Sequence, residues 1–522
     1  QVPPSDLGQV EVIKGSASAL YGGQALGGVI NLVSKRPSEV TEGEAILNAT
    51  TRDGQDFSTY ASSPLGNGWS GSLLVAANHH SAKDLDDDDW IDLPEYERWS
   101  VRPRFFWEGS EGTNLYLTVG AMGEDRKGGT LSGGLIPDGY PFQQNQDTDR
   151  LDGGFVLQHP INDHLSAQVR ASAFRQQHDH VFGDLLEEDR HQTILTEASL
   201  SGDLPSASWV GGVVYQSDEY DSDTFPIHDY KYESPAAFAH FDQDFGERLT
   251  GALSVRWDDH SEYGGELSPR MALLFREGAW TIRGSWGSGF FAPTPFLEET
   301  EAAGLSRLEP LANLKAETAE TTSFDVSYSA GNLETGLTFF GSNIDDAVRL
   351  ETLTTDRVQM VNVNGVTRTR GIEALMRWRL DDLVVTSSYL YTDASEPNEN
   401  DVGRRTVPLT PRHSAGLVAI WEVEEKGRIG FEVYYTGTQS LEDNPYRMES
   451  DPYFEVGLLG EIIRGRYSFF LNLENLLNVR QTRDDVLVRP NRSPDGRWTV
   501  DAWAPLEGFV ANAGVRIRLG EF

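Results

Sequence analysis

Residues 10–37 read VEVIKGSASALYGGQALGGVINLVSKRP. Val10 to Ile13 has the look of a short strand that ends at Gly15. Residues 16–20 form a turn or a short helix before Tyr21, Gly22 and Gly23. Gly27 and Gly28 then introduce residues 29–34, a strand apolar on both faces and therefore expected to be buried on both. Glycines at these places permit positive φ and close backbone approach. A phosphate loop does not fit, because Lys14 precedes the glycines and no Gly-Lys-Ser/Thr opens a helix.

Outward from this stretch, period-two alternation takes over from about residue 42. Leu165, Ala167, Val169, Ala171 and Ala173 alternate with Ser166, Gln168, Arg170 and Ser172, and Tyr467, Phe469, Leu471 and Leu473 share one face. Alternation alone establishes an all-β chain, since a soluble sandwich alternates too. The connections narrow it. Ten short turns recur, at 67–68, 109–112, 161–163, 203–205, 246–248, 277–278, 331–332, 381–382, 426–428 and 464–465. Longer polar segments lie between them, at 83–97, 128–149, 221–231, 292–318, 393–410, 439–451 and 481–503. Tight turns at one end and long loops at the other are the asymmetry of an outer-membrane barrel. Ten hairpins with one further strand at each end predict 22 antiparallel transmembrane strands. Aromatic residues near strand ends (Trp99, Phe105, Phe106, Trp107, Phe290, Phe291, Trp421, Tyr434, Tyr435) suit interfacial girdles.

Composition removes other classes. The 522 residues include no cysteine, so neither disulfides nor thiolate metal sites exist. Mean hydropathy is −0.43, and no apolar run approaches the roughly 18 residues of a membrane helix, a test that barrels escape. The net charge of −38 opposes nucleic-acid binding. No Gly-x-Ser-x-Gly or His-Glu-x-x-His motif supports catalysis.

Residues 10–37, with their strand–ALYG–GGVIN–strand order, resemble the C-terminal part of the plug domain of TonB-dependent outer-membrane receptors. Gly15, Leu20, Tyr21, Gly22, Gly27, Gly28 and Asn31 carry that likeness. Residues 289–293 (GFFAP) with 311–317 (LANLKAE), 370–373 (RGIE), 472–478 (NLENLLN) and 505–519 resemble further segments of the same family. The resemblance implies plug sequence over residues 1–40 and a barrel over 41–522, with the plug remnant in the lumen. It also implies an outer-membrane location in a Gram-negative cell, a monomer in contact with lipid, coupling to TonB through N-terminal sequence upstream, and no cofactor. Phe522 matches the family's terminal aromatic in type but is out of phase with Val515, Ile517 and Leu519.

The implied function is active import of a large scarce ligand, with a ferric siderophore ahead of cobalamin, haem or an oligosaccharide. A passive porin or an adhesin is the reading from another class. In the family, haem capture uses a histidine between the two paired motifs, and residues 294–310 here contain neither His nor Tyr. Trp90, Tyr96, Arg126, Lys127, Phe142, Tyr230 and Arg405 are the candidate ligand contacts, aromatic or basic groups suited to an anionic ferric chelate. Asp86 to Asp89 reads as a solvated acidic loop without calcium-loop spacing. His178 and His180, with His79 and His80, read as surface groups before they read as metal ligands.

Overall fold

A computed structural model of the chain describes residues 4–16, 18–23, 25–398 and 403–520. Phe522 and the side chain of Leu20 lie outside the described residues. Among the described residues, 22 antiparallel strands close into one barrel. A three-residue strand, Arg404–Thr406, pairs beside the upper end of Leu383–Pro397. Closure is made by the last strand, Val510–Gly520, which pairs with the first, Glu42–Thr50, from Asn512↔Thr50 to Gly520↔Glu42. All ten tight turns join neighbouring strands at one end, each within two residues of its expected place. Asn67, Gly331, Asp381 and Gly465 take positive φ there, as two-residue hairpins require.

The alternation sorts side chains between lipid and lumen. In the strand Leu249–His260, Leu253, Val255 and Trp257 face outward, Leu253 with 61% of its surface exposed. Ser254, Arg256, Asp258 and His260 face inward and are buried. Closing the sheet pairs every edge, which is what lets a backbone cross hydrocarbon at all.

At the other end the layout departs from a plain row of long loops. Three connections are short, at 51–54, 183–184 and 261–263. Gln143–Asn162, Leu165–Phe182 and Leu185–Leu204 have 20, 18 and 20 residues, about twice what a tilted crossing needs. Residues 143–149, the last part of the segment expected to be loop, are therefore strand. The loop after Leu333–Asp345 carries its own hairpin, Val348–Thr354 with Arg357–Asn362. The apolar clusters of the molecule lie in this loop layer. One joins Trp90, Ile136, Phe142, Phe182 and Trp498, and the other joins Tyr220, Leu305, Leu308, Val358 and Met360. The lumen is largely polar and the outside faces lipid, so these clusters form where loops pack on one another and on strand tips such as Phe182 and Tyr220.

The strands Leu7–Lys14 and Gly28–Ser34 form a two-stranded sheet inside the barrel. Leu7–Lys14 pairs with Gly28–Ser34, Val12 opposite Ile30. Asp6 binds Arg104, Lys14 binds Glu373, and Ser16 N–H donates to Thr321 Oγ1. Those partners come from strands far apart around the wall, so the hairpin spans the lumen. The expectation that residues 29–34 are buried on both faces fails. Ile30 is 70% exposed, and Leu32, Val10 and Val12 are open on the same face. The sheet has only two strands, and nothing described covers that side. Phe290 also leaves the expected girdle: it is 2% exposed and faces the hairpin, where a Cβ on Gly23 would come within 2.5 Å of its ring.

Candidate functional site

The long strands carry the inward parity above the hairpin and into the mouth. Gln144 and Gln146, then Gln176, His178 and His180, then Glu187, Asp189 and His191, and finally Asp218 and Tyr220 line one wall. Loop residues complete a cavity of about 1070 Å³, larger than most small-molecule pockets.

Its polar groups are tied in pairs. His178 Nδ1 lies 2.8 Å from Asp189, and its other nitrogen meets Gln176. His191 Nε2 lies 2.5 Å from Asp218, which also accepts from Thr193 Oγ1. His180 differs. It sits two residues from the outer end of its strand, beyond the membrane crossing. Its Nε2 is buried without a partner, and burial together with neighbouring His178 pushes its pKa down to about 4. His180 is thus a neutral imidazole at ordinary pH. Glu187 sits near the outer tip of its strand, also beyond the crossing, and accepts the Leu305 amide at 3.2 and 3.1 Å. Burial pushes its carboxyl up to about 7 despite those bonds. The aromatic side consists of Tyr220 stacked on Tyr230 at 5.8 Å and set edge-on to Phe296 at 4.8 Å.

Of the expected ligand contacts, Trp90, Arg126 and Tyr230 line this cavity. The others do not. Tyr96 stacks on His80 at 5.7 Å. Lys127 is exposed and bound to Glu95 and Asp125. Phe142 is buried beneath the loops against Trp90 and under Arg492. Arg405 is held by Glu396 and Glu442. Arg126 and Lys127 part because consecutive strand residues point to opposite faces. Asp92, Glu187, Asp189, Asp218, Glu298 and Glu301 line the cavity against the single guanidinium of Arg126. Strand parity could have located His191, Asp189 and Asp218. Glu298, Glu301 and Phe296 come from a loop whose path no periodicity encodes.

Beside the cavity, whose wall includes Trp90 and Asp92, the loop of residues 81–94 brings carboxylate oxygens of Asp84, Asp86 and Asp88 within 4.8 Å of one another. Burial, then Asp88, Asp92 and Asp84, push Asp86 up to about 7, while burial raises Asp92 to about 6 against the Leu85 amide. The rings of His178 and His180 lie 5.1 Å apart, whereas His79 turns to Glu97 and His80 to Tyr96.

In the hairpin, Gly28 has φ 136°, and a Cβ there would stand 2.5 Å from the Ile13 carbonyl oxygen. Gly22 packs against Arg256, and Asn31 Nδ2 donates to Glu11 at 2.9 Å. Tyr21 is exposed, and nothing in the surroundings of Gly27 requires a glycine.

A family model described as TonB dependent receptor-like, beta-barrel, matches residues 53–476. The chain belongs to the TonB-dependent receptors. The plug-domain model of the same receptors matches residues 1–29, the span that contains Gly15 to Gly28. The iron-regulated outer membrane virulence protein of Vibrio cholerae serotype O1 is 21% identical over 488 residues, covering 84% of this chain and 70% of its own. The ferrioxamine receptor of Yersinia enterocolitica is 30% identical over 154 residues, 29% of this chain and 20% of its own. Among solved structures, the siderophore receptor PirA from Acinetobacter baumannii superposes with a TM-score of 0.80 at 14% identity, over 99% of this chain and 86% of that one. As a TonB-dependent receptor the protein resides in the outer membrane of a Gram-negative cell and serves transport rather than catalysis. In this receptor, Gly22 and Gly23 are the points where plug backbone meets the Arg256 and Phe290 side chains of the wall.

Proposed function

We propose that the receptor imports an iron(III)–siderophore complex, which it binds in the cavity at the barrel mouth and passes inward by TonB-driven movement of the plug. The supporting observation is the cavity itself: about 1070 Å³, aromatic on one side, polar on the other, and sharing Asp218, Ala292 and Thr294 with a small space that reaches Gly23 of the plug sequence. A siderophore brings its own iron ligands, so its receptor needs shape and contact surface rather than metal-binding groups. The names of the relatives, an iron-regulated outer membrane protein and a ferrioxamine receptor, point the same way. On this reading residues 1–40 act as the end of a plug, and the open face of Val10, Val12, Ile30 and Leu32 packs against the remainder of that domain.

Cavity charge refines the ligand. Six acidic side chains face one guanidinium, and even with Glu187 and Asp92 raised to about 7 and about 6 the balance is negative, so a trianionic chelate would meet repulsion at short range, where salt screens little. The proposed ligand is a neutral or cationic chelate, such as a tris-hydroxamate with an ammonium tail. Haem is the second reading, favoured by one observation: His178, His180 and His191 enter the cavity from the strands, so a loop without histidine does not remove every axial ligand.

Quenching of tryptophan fluorescence in the refolded receptor tests this reading. Titration with a cationic ferric tris-hydroxamate, a ferric tris-catecholate and haem should give tightest binding to the first. Tightest binding of the catecholate would refute the charge argument and keep the siderophore. Binding of haem alone would refute the siderophore.

A further inference from the structure

The loop between the strands Trp69–His80 and Glu95–Glu108 contains a cluster of carboxylates beside the ligand cavity. Counted from Asp84 rather than from Asp86, the chain to Glu95 reads DLDDDDWIDLPE, with carboxylates at the first, third, fifth, ninth and twelfth positions and also at the fourth and sixth. Calcium loops of twelve residues place their ligands in this order, with a backbone carbonyl at the seventh position and glycine at the sixth. Here the sixth residue is Asp89, and it holds the positive φ, 68°, that the turn demands. Aspartate tolerates that region better than most residues. The Asp84 carboxylate accepts the amides of Asp86, Asp87 and Asp89 at 3.2, 2.8 and 3.0 Å and so curls the loop.

Turn shape and internal hydrogen bonds would fit any acidic loop; the unmatched charge would not. Both carboxylate oxygens of Asp86 are buried and accept no hydrogen bond. Asp92, 6% exposed, feels the charges of Asp88 and Asp84 more strongly than the opposing one of Arg480; it accepts the Leu85 amide with Oδ2, while its Oδ1 is buried without a partner. Neighbouring lysines are engaged elsewhere: Lys83 with Asp53, and Lys127 with Glu95 and Asp125. Buried carboxylates need a cation or donors to offset desolvation. We infer that Asp84, Asp86, Asp88 and Asp92 bind a calcium ion. An all-oxygen donor set with several carboxylates suits this hard cation, and the Trp90 carbonyl at the seventh position supplies a further oxygen. Glu95 is held by Lys127, so water completes the shell. The ion also has a consequence for the cavity. Trp90 lies inside the ligand run and packs on Phe142 at 6.2 Å while lining the cavity, so calcium fixes part of the cavity wall.

The test uses the refolded full chain, stripped with a chelator and titrated with terbium(III), which an adjacent tryptophan sensitises, and then with calcium. Saturable terbium emission, displaced by calcium and hardly by magnesium, is expected. Asp86→Asn and Asp92→Asn should each weaken calcium at least about tenfold, while Asp87→Asn, which removes no ligand, should bind as wild type. Trp90→Phe should lose the emission and keep calcium uptake measured by calorimetry. Because extracellular calcium modules bind at ~0.1–1 mM, absence of saturable uptake by wild type up to about 10 mM would overturn the inference. Unchanged affinity in both Asp86→Asn and Asp92→Asn would overturn it equally. Should either variant fail to fold, calcium uptake by the chelator-treated wild type decides the matter.

Discussion

Asp6 and Arg104 show how plug and wall hold each other. The guanidinium donates to both carboxylate oxygens at 2.6 and 2.7 Å, and Ser34 Oγ adds a third bond to Asp6. Both side chains are almost wholly buried. Removing one partner of such a pair strands the other charge, at a cost of roughly 3–5 kcal/mol. Asp6→Ala should therefore loosen the hairpin by about that amount while the barrel stays closed. Native-state amide exchange across Leu7–Lys14 and Gly28–Ser34 checks it, and unchanged protection would show that other contacts hold the hairpin. The sequence offered no sign of this pair, because Asp6 and Arg104 lie in different parts of the chain and neither belongs to a motif. The glycines were more legible. The need for Gly28 can be read from its place before a strand, since φ 136° excludes a side chain.

Among the elements, strands and tight turns were readable because each is fixed by local chemistry: alternation for the strands, and Gly, Asn or Asp at positive φ for the turns. The longer outer connections were not. The 183–184 turn, Gly-Asp with Gly183 at positive φ, carries the same local signal as the inner turns, whereas the hairpin Val348–Thr354/Arg357–Asn362 is set by packing of loop on loop. Lipid-facing parity has a direct consequence. Leu253 lies near the middle of its crossing, so Leu253→Arg should destabilise the barrel in liposomes by ~2–4 kcal/mol. A change within about 0.5 kcal/mol in the unfolding midpoint would place that face away from lipid. Docking of the loop that contains the helix Glu298–Ala303 depends on Glu187. Its carboxyl has a folded pKa of about 7, raised from 4.5. An acid raised on folding contributes fully below its ordinary pKa, and the contribution fades as pH climbs through about 7. Exchange protection of residues 298–305, corrected for intrinsic rate, should thus fall between about pH 4.5 and about pH 7 and level off above. Glu187→Gln should flatten that slope, and an equal slope in the variant would assign it to another group.

For the molecule as a whole, the architecture is a polar-lined barrel, plug sequence across its lumen and an apolar loop layer roofing a cavity. The barrel and the plug sequence could be read from residues 10–37 and from the ten turns. The cavity could be read only in part. Trp90, Arg126 and Tyr230 reach it, but its acidic character emerges only when Glu187, Asp189, Asp218, Glu298 and Glu301 converge from separate strands and a loop. The central claim, energised and ligand-specific import, is tested most directly by iron uptake into receptor-deficient cells that express the gene. Radioactive iron supplied as a cationic tris-hydroxamate should enter only with the gene present, and uptake should stop when an uncoupler collapses the proton gradient. Uptake that persists in de-energised cells, or equal passage of small solutes regardless of chemistry, would contradict the account and make the barrel a passive pore.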